Sequence, residues 1–410
     1  MKQRKLMCAV IASACAVGLG AGSAWAQQGK LTKDTLKIGV LSDMSGVYAE
    51  AGGPGATLAA KMAVEDFGGR MFGKPIEVVS ADHQNKPDIA KNVTLQWFDR
   101  DGVMATFENL NSGVALAVTA LGKEKNRLTV FNGAATSRLT NDACQPTAIQ
   151  YLFDTIALGT VVGKAIVKAG GDSWFFLTAD YTFGHTLEKD TGEVVKAAGG
   201  KVLGAVRHPL NAGDFSSFLL QAQASKAKII GLANAGGDTI NSIKSAAEFG
   251  LTKHHTLAAL LLSFTEVHAV GLNAAQGLYL TEAWYWDTNA ETRAWTKKYE
   301  ARMKKKPNAV HASVYSSVLH YLKAVQAAGT DDTTTVIRKM KDTPINDMFA
   351  ANGRIRADGL HVHDMYLFQV KKPSESKASG DYYHLRATVK GEDAFQSLEK
   401  SRCPAFMKKS

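Results

Sequence analysis

The sequence predicts an α/β protein built as two lobes, each a mainly parallel sheet covered by helices. Short β-branched runs alternate with Ala-rich helical stretches from Leu36 onward, which is the rhythm of βαβ units. A loop over residues 133–146 interrupts the rhythm, and a second series of the same kind follows it. The 410 residues, 45% hydrophobic and 21% charged, suffice for about two to three globular units with cores of their own.

The elements follow in order. A strand over 36–41 carries Leu36, Ile38 and Val40, a helix over 56–67 rests on Ala56, Ala59, Ala60 and Ala63, and a strand over 75–79 carries Ile76, Val78 and Val79. A helix over 88–100, a strand over 103–107, a helix over 112–123 and a strand over 128–131 complete the first series. The second runs as helix 155–168, strand 174–178, helix 187–198, strand 202–206, helix 215–224, strand 229–233 and helix 239–249. Apolar runs at 256–262 and 277–281 read as further strands, followed by two long helical patterns, 290–304 and 309–328, and a strand over 365–370. Parallel sheets of this kind carry helices on both faces.

Ahead of the first strand, Lys2, Arg4 and Lys5 precede an apolar stretch over 6–21, and Ala24-Trp25-Ala26 supplies an A-x-A cleavage site. This reads as a secretory leader with a mature start at Gln27. Cys15, preceded by Ala12-Ser13-Ala14, lacks the large aliphatic residue of a lipoprotein site. Removing the three leader cations lowers the formal charge from +10 to +7, and the one basic cluster, Lys304-Lys305-Lys306, reads as a solvated face. No basic stripe is interleaved with stacking aromatics, so nucleic acid is not an expected partner. Cleavage also removes Cys8 and Cys15. In an oxidising compartment the remaining Cys144 and Cys403 are expected to form one disulfide, two free thiols being the alternative.

Enzyme signatures are missing from the sequence. There is no G-x-S-x-G elbow, P-loop or H-E-x-x-H, and Gly18-Leu19-Gly20-Ala21-Gly22 imitates a dinucleotide loop in spelling only, since no strand precedes it. Neither catalysis nor a cofactor is expected. His361-Val362-His363-Asp364 puts two imidazoles on one strand face without a further ligand set, so a surface or structural role is expected rather than a metal, and His254-His255 reads as loop.

Three motifs carry a specific likeness. Leu36-Lys37-Ile38-Gly39-Val40-Leu41-Ser42-Asp43-Met44-Ser45-Gly46, then Phe131-Asn132-Gly133-Ala134-Ala135-Thr136-Ser137-Arg138-Leu139-Thr140, then Ala179-Asp180-Tyr181-Thr182-Phe183-Gly184 resemble the extracytoplasmic solute-binding proteins of branched-chain amino acid type ABC transporters. Ala312-Ser313-Val314-Tyr315 and Asn352-Gly353-Arg354-Ile355-Arg356-Ala357-Asp358-Gly359 are similar to the same family, so the likeness runs from about Leu36 to the C-terminus. It implies a type I periplasmic binding fold: two Rossmann-like lobes joined by a three-crossover hinge that closes over a ligand. The implied division is 27–153 with 285–365, then 154–284 with 366–392, then a tail over 393–410. The implied role is a periplasmic, monomeric receptor that catalyses nothing and delivers a small carboxylate or amino acid to a membrane permease. A periplasmic sensor subunit for the same ligands is the alternative.

In doubly wound sheets the ligand lies beyond the carboxyl ends of the strands, where helix N-termini present free N–H groups to an anion. Two segments fit: Asn109-Leu110-Asn111-Ser112-Gly113 and Ala134-Ala135-Thr136-Ser137, each following a strand. Simple N-capping would explain Ser112 and Thr136. The resemblance implies instead that Ser112, Ala134 and Thr136 hold a ligand carboxylate, with Asn111 and Ala135 beside them. It also implies that Tyr181 and Phe183, in the loop after the strand over 174–178, close aromatic side chains over the solute. Asn234, ending the strand over 229–233, is a candidate polar contact. Trp284, within Trp284-Tyr285-Trp286, and Tyr48, in the first strand-to-helix loop, either line the cleft or belong to the core.

The amino-acid binders place an acidic residue after the strand corresponding to Ala258-Ala259-Leu260-Leu261-Leu262, to pair the ligand ammonium; leucine stands there in this chain. A buried ammonium without a counter-charge is costly. The expected ligand is therefore a carboxylate without an amine, with an aromatic or branched aliphatic body, unless Glu266 takes the acid's role.

Overall fold

The computed structural model describes residues 29–404; the leader over 1–26, the start at Gln27 and the chain from 405 onward lie outside the described residues. The first sheet comprises β1 (Leu36–Ser42), β2 (Arg70–Met71), β3 (Lys74–Asp82), β4 (Val103–Glu108), β5 (Leu128–Phe131) and β6 (Ala148–Gln150), in spatial order β2-β3-β1-β4-β5-β6. Every pair is parallel except the short β2–β3 hairpin. Its crossovers are α1 (Gly53–Phe67), α2 (Pro87–Gln96) and α3 (Ser112–Lys125).

The chain then passes to the second layer through residues 151–154. There α4 (Thr155–Lys168), β7 (Ser173–Ala179), α5 (Thr182–Ala197), β8 (Lys201–His208), α6 (Ser216–Ala224), β9 (Ile229–Ala233), α7 (Gly237–Glu248), β10 (Thr256–Ala259), α8 (Phe264–Val270), α9 (Leu272–Ala275) and β11 (Tyr279–Glu282) follow one another. After 283–289 the chain returns as α10 (Ala290–Met303), α11 (Ala309–Ala328), α12 (Thr333–Asp342) and the hairpin β12 (Arg354–Ile355) and β13 (His361–Val362). It crosses a third time at 363–364 into β14 (Met365–Val370) and β15 (Tyr383–Val389), then forms α13 (Gly391–Ala394). The second sheet runs β15-β14-β11-β10-β9-β7-β8, with β14 and β15 antiparallel additions to a parallel core. The two-lobed, mainly parallel α/β fold expected from the sequence is the one observed.

Differences from the sequence reading have local causes. α1 starts three residues early, at Gly53, because Pro54 in its first turn brings a φ already suited to a helix start. α2 gives way at Trp97 to a wider turn over Trp97–Asp101 that ends at left-handed Gly102, so the expected helix over 88–100 is two pieces. α5 begins at Thr182 rather than 187, so Tyr181 is its N-cap and Phe183 lies in its first turn, not in a loop. Gly184 makes that sharp entry feasible: a Cβ there would sit 2.0 Å from the Ala179 carbonyl oxygen. Only Thr256–Ala259 of the run over 256–262 pairs as strand; Leu260, Leu261 and Leu262 bend out of the sheet. The sequence reading had no counterpart for α12 or β15.

Cys144 and Cys403 form a disulfide, 5.5 Å between Cα atoms, across 259 residues. The two imidazoles singled out from sequence serve the hinge. His361 Nδ1 lies 2.9 Å from the Tyr151 carbonyl and His363 Nε2 lies 2.6 Å from that of Leu152, so the third crossing is bonded to the first. No cluster of three or more His, Cys, Asp or Glu suited to a metal occurs among the described residues.

Candidate functional site

A cavity lies between the two sheets, beyond the carboxyl ends of their parallel strands. Its free space, mouth included, is about 570 Å³, and Tyr48, Leu110, Asn111, Ser112, Ala134, Ala135, Phe153, Tyr181, Phe183, Leu261, Glu266 and Glu282 contribute to its lining. This is the place of a small-molecule site in a doubly wound fold.

The first-sheet wall is made by two loops under backbone constraint. After β4, Glu108, Asn109 and Asn111 all have positive φ, at 75°, 48° and 82°. Three such non-glycine residues in four positions are held only because the surroundings fix them. Asn109 Nδ2 donates to the Val130 carbonyl, Leu110 N donates to Glu108 Oε2, and Asn132 accepts from Glu108 N while donating to Ser313 and Ser317. Burial pushes the Glu108 carboxyl up to about 8. Asn111 caps α3, its Oδ1 accepting from Gly113 N and Val114 N, so its side chain serves the helix while its position borders the cavity.

Ser112 opens α3, and its Oγ accepts from Thr136 N at 3.2 Å, which leaves the hydroxyl proton free to donate elsewhere. The buried Thr136 Oγ1 has no protein partner among the described residues. Nor do the backbone N–H groups of Ala134 and Ala135 donate to a protein acceptor among those residues. Hydroxyl and N–H donors thus converge where the two loops meet.

The second-sheet wall is made of side chains. Tyr181 reaches across to Tyr48, hydroxyl to hydroxyl at 2.5 Å, and Gly237 N donates to the Val47 carbonyl at 3.2 Å, so the lobes touch over the cavity and the molecule is closed. Gly236 permits this approach: its φ is +63°, and a Cβ would stand 2.6 Å from the Val47 oxygen. Glu266 accepts from Gly236 N and from Ser263 N, the latter as part of the α8 capping box. Glu282, at the end of β11, accepts from Phe264 N at 3.1 Å. Burial, and then the nearby Glu266, hold the Glu282 carboxyl well above the usual range, and burial raises Glu266 as well. No Lys, Arg or His is among the lining residues.

Of the residues expected from sequence, Tyr48, Asn111, Ser112, Ala134, Ala135, Tyr181 and Phe183 lie together on this lining. Thr136 stands behind it against Ser112. Asn234 is outside it, its amide taken up by His208, Ser242 and Thr239. Trp284 is also outside, buried against Trp295 and donating to the Met348 carbonyl. Sequence reasoning missed Glu282. Its signal was an acid at the carboxyl end of an apolar strand, the position where doubly wound sheets place ligand contacts.

A family model described as a periplasmic binding protein matches residues 35–378. A solved periplasmic binding protein from Burkholderia mallei is 54% identical, with a TM-score of 0.90 over 91% of this chain and 99% of that one. A branched chain amino acid ABC transporter periplasmic ligand-binding protein from Burkholderia xenovorans LB400 is 38% identical, with a TM-score of 0.81 over 90% and 99%. An ABC transporter solute-binding protein from R. palustris, solved in complex with benzoate, shares the fold at a TM-score of 0.78 and 22% identity, over 87% and 96%. Among curated relatives, Leu/Ile/Val-binding protein homolog 6 of Brucella melitensis is 27% identical over 221 residues, 53% of this chain and 56% of the relative. The chain thus spans about half the length of that relative.

Proposed function

Because the chain belongs to the periplasmic binding protein family, we propose that it is the solute receptor of an ABC uptake transporter and binds a small carboxylate between its lobes. The observation that carries this reading is the convergence of unpartnered donors on the first-sheet wall: the N–H groups of Ala134 and Ala135 and the hydroxyl of Ser112, with the unpartnered Thr136 hydroxyl buried behind them. Such donors suit a carboxylate, which accepts only. Phe153, Phe183, Leu110 and Leu261 supply an apolar surround that suits an aromatic or branched aliphatic body. In this reading 27–153 with 285–365 and 154–284 with 366–392 move as two bodies, and the closed face docks on a membrane permease in the periplasm.

A branched-chain amino acid is the second reading, favoured by the two acids on the second wall, which sequence reasoning had not placed there as a pair. A thermal-shift screen against aliphatic amino acids and against aromatic and aliphatic carboxylates tests both. A ligand at a hundredfold over its dissociation constant adds about 2.7 kcal/mol of apparent stability, enough to read. Stabilisation by no carboxylate of either kind would overturn the carboxylate-receptor reading.

A further inference from the structure

Glu282 is 2% exposed and lies on the cavity wall. One of its oxygens accepts from Phe264 N, and the other has no protein partner among the described residues. The other polar side chains there each have a partner. Both oxygens of Glu266 accept backbone N–H bonds, Ser263 Oγ meets Thr265 Oγ1 at 3.0 Å, and the Tyr181 and Tyr48 hydroxyls meet each other. Among the carboxyl oxygens of that wall, this one alone has no protein partner among the described residues.

Charge decides what state that atom is in. A ligand carboxylate enters a space with two acids and no cation on its lining. Three buried like charges without a counter-charge are prohibitive, so at least one acid must stay protonated. The two N–H donors on Glu266 favour charge there. Glu282, beside Glu266 and Tyr383, has a single N–H donor and is the one that stays neutral. Its proton then sits on the oxygen that Phe264 does not occupy, on a side chain that lines the cavity. A ligand ammonium carries three N–H groups and wants three acceptors; an uncharged ligand oxygen wants one donor, which a protonated Glu282 supplies.

We propose that Glu282 is a specificity-determining residue, a neutral carboxylic acid that donates to an uncharged keto or hydroxyl oxygen on the ligand and so selects oxo- and hydroxy-acids over the amino acid of the same skeleton. This rests on the reading of the cavity as a carboxylate site. The probes are matched sets: 4-methyl-2-oxopentanoate, 2-hydroxy-4-methylpentanoate, 4-methylpentanoate and leucine, with 4-hydroxybenzoate and benzoate as an aromatic pair. Calorimetry in two buffers of different ionisation enthalpy counts protons exchanged on binding. Within at least one set the oxygen-bearing acid is expected to bind about 10-fold tighter than its bare counterpart, and in the aliphatic set tighter than leucine, with no net proton release.

Glu282→Gln, whose amide also donates, is expected to stay within about 3-fold of the wild type, and Glu282→Leu to lose about 10-fold or more for the oxygen-bearing probe only. Release of close to one proton on binding leucine, with Glu282→Gln as damaged as Glu282→Leu, would overturn the proposal by showing an ionised Glu282 facing an ammonium. Equal binding by the wild type and both variants would overturn it by removing Glu282 from the ligand. If no probe shifts the wild type, the carboxylate reading itself has failed and takes this assignment with it.

Discussion

The two walls of the cavity are built from different materials. On the first, the Ser112 hydroxyl follows a loop with positive φ at Glu108, Asn109 and Asn111, held in place by a buried network, and the N–H groups of Ala134 and Ala135 come from the loop after β5. On the second, two tyrosines meet across the cleft while two acids face the interior from α8 and β11. The difference teaches a division of labour. In the proposed reading, backbone donors recognise what every carboxylate has in common, beside a loop whose geometry costs strain. Side chains recognise what distinguishes one carboxylate from another, and a single substitution changes them.

The sharpest way to break the comparison is at the first wall. Replacing Ser112 by Ala is expected to lower affinity for every carboxylate about 10-fold, from about 1.5 kcal/mol for a bond to a charged group, and Thr136→Ala, behind the lining, to lower it less. Calorimetry reads this directly, and unchanged affinity would mean that the carboxylate lies elsewhere.

The second wall should answer in kinetics. Tyr181→Phe removes the hydroxyl contact with Tyr48 and keeps the ring, so dissociation should quicken about 5-fold by stopped flow, with little change in preference among ligands. An unaltered rate would assign Tyr181 to packing.

Glu108→Gln probes the support of the strained loop without touching the ligand. The Glu108 carboxyl is raised by burial from its ordinary value to about 8 in the folded chain. The folded state therefore holds this proton more tightly than the unfolded one. Its contribution to stability is fully present below about pH 4.5 and is lost as pH rises through about 8. The variant should keep its affinity and lose less stability than the wild type between pH 5 and pH 8. Parallel denaturation curves across that window would show that the carboxyl does not titrate there.

The disulfide lies outside both walls and is the control. Cys144→Ser with Cys403→Ser should leave affinity and preference unchanged while costing about 2–5 kcal/mol of stability, read as a lower Tm. A change in ligand preference would tie the tail to the site.

Much of this arrangement was legible before the structure. The alternation of β-branched and Ala-rich runs gave the parallel sheets, because burial on both faces leaves strands apolar throughout, as in β4 and β9. Ser112, Ala134 and Ala135 were found because their segments come after strands and both resemble the family's motifs. What escaped depends on contacts distant in sequence. The entry into α5 is set by Gly184 lying against the Ala179 carbonyl, which helix periodicity does not register. β15 alternates weakly, with Leu385 and Arg386 both exposed, because it is an edge strand paired only to β14. Trp284 looked like a cleft residue from its place near a crossing, yet the second crossing turns it toward Trp295 and the Met348 carbonyl. Glu282 was hidden by the leucines that follow the neighbouring strand β10, where the resemblance directed attention.

The bond from Cys403 to Cys144 also decides where the end of the described chain is anchored. The last strand, β15, belongs to the second sheet, yet fourteen residues later the chain is fastened to the loop between β5 and β6 of the first. Arg402 N and Ser401 Oγ bond to Asn141 and Thr140 of that same loop. A fluorophore fused beyond Pro404 would therefore ride with α1 and α3 rather than with the strand it follows in sequence. Paired with a dye on α7 it would report closure as a change in energy transfer, and paired with one on α1 it would stay silent.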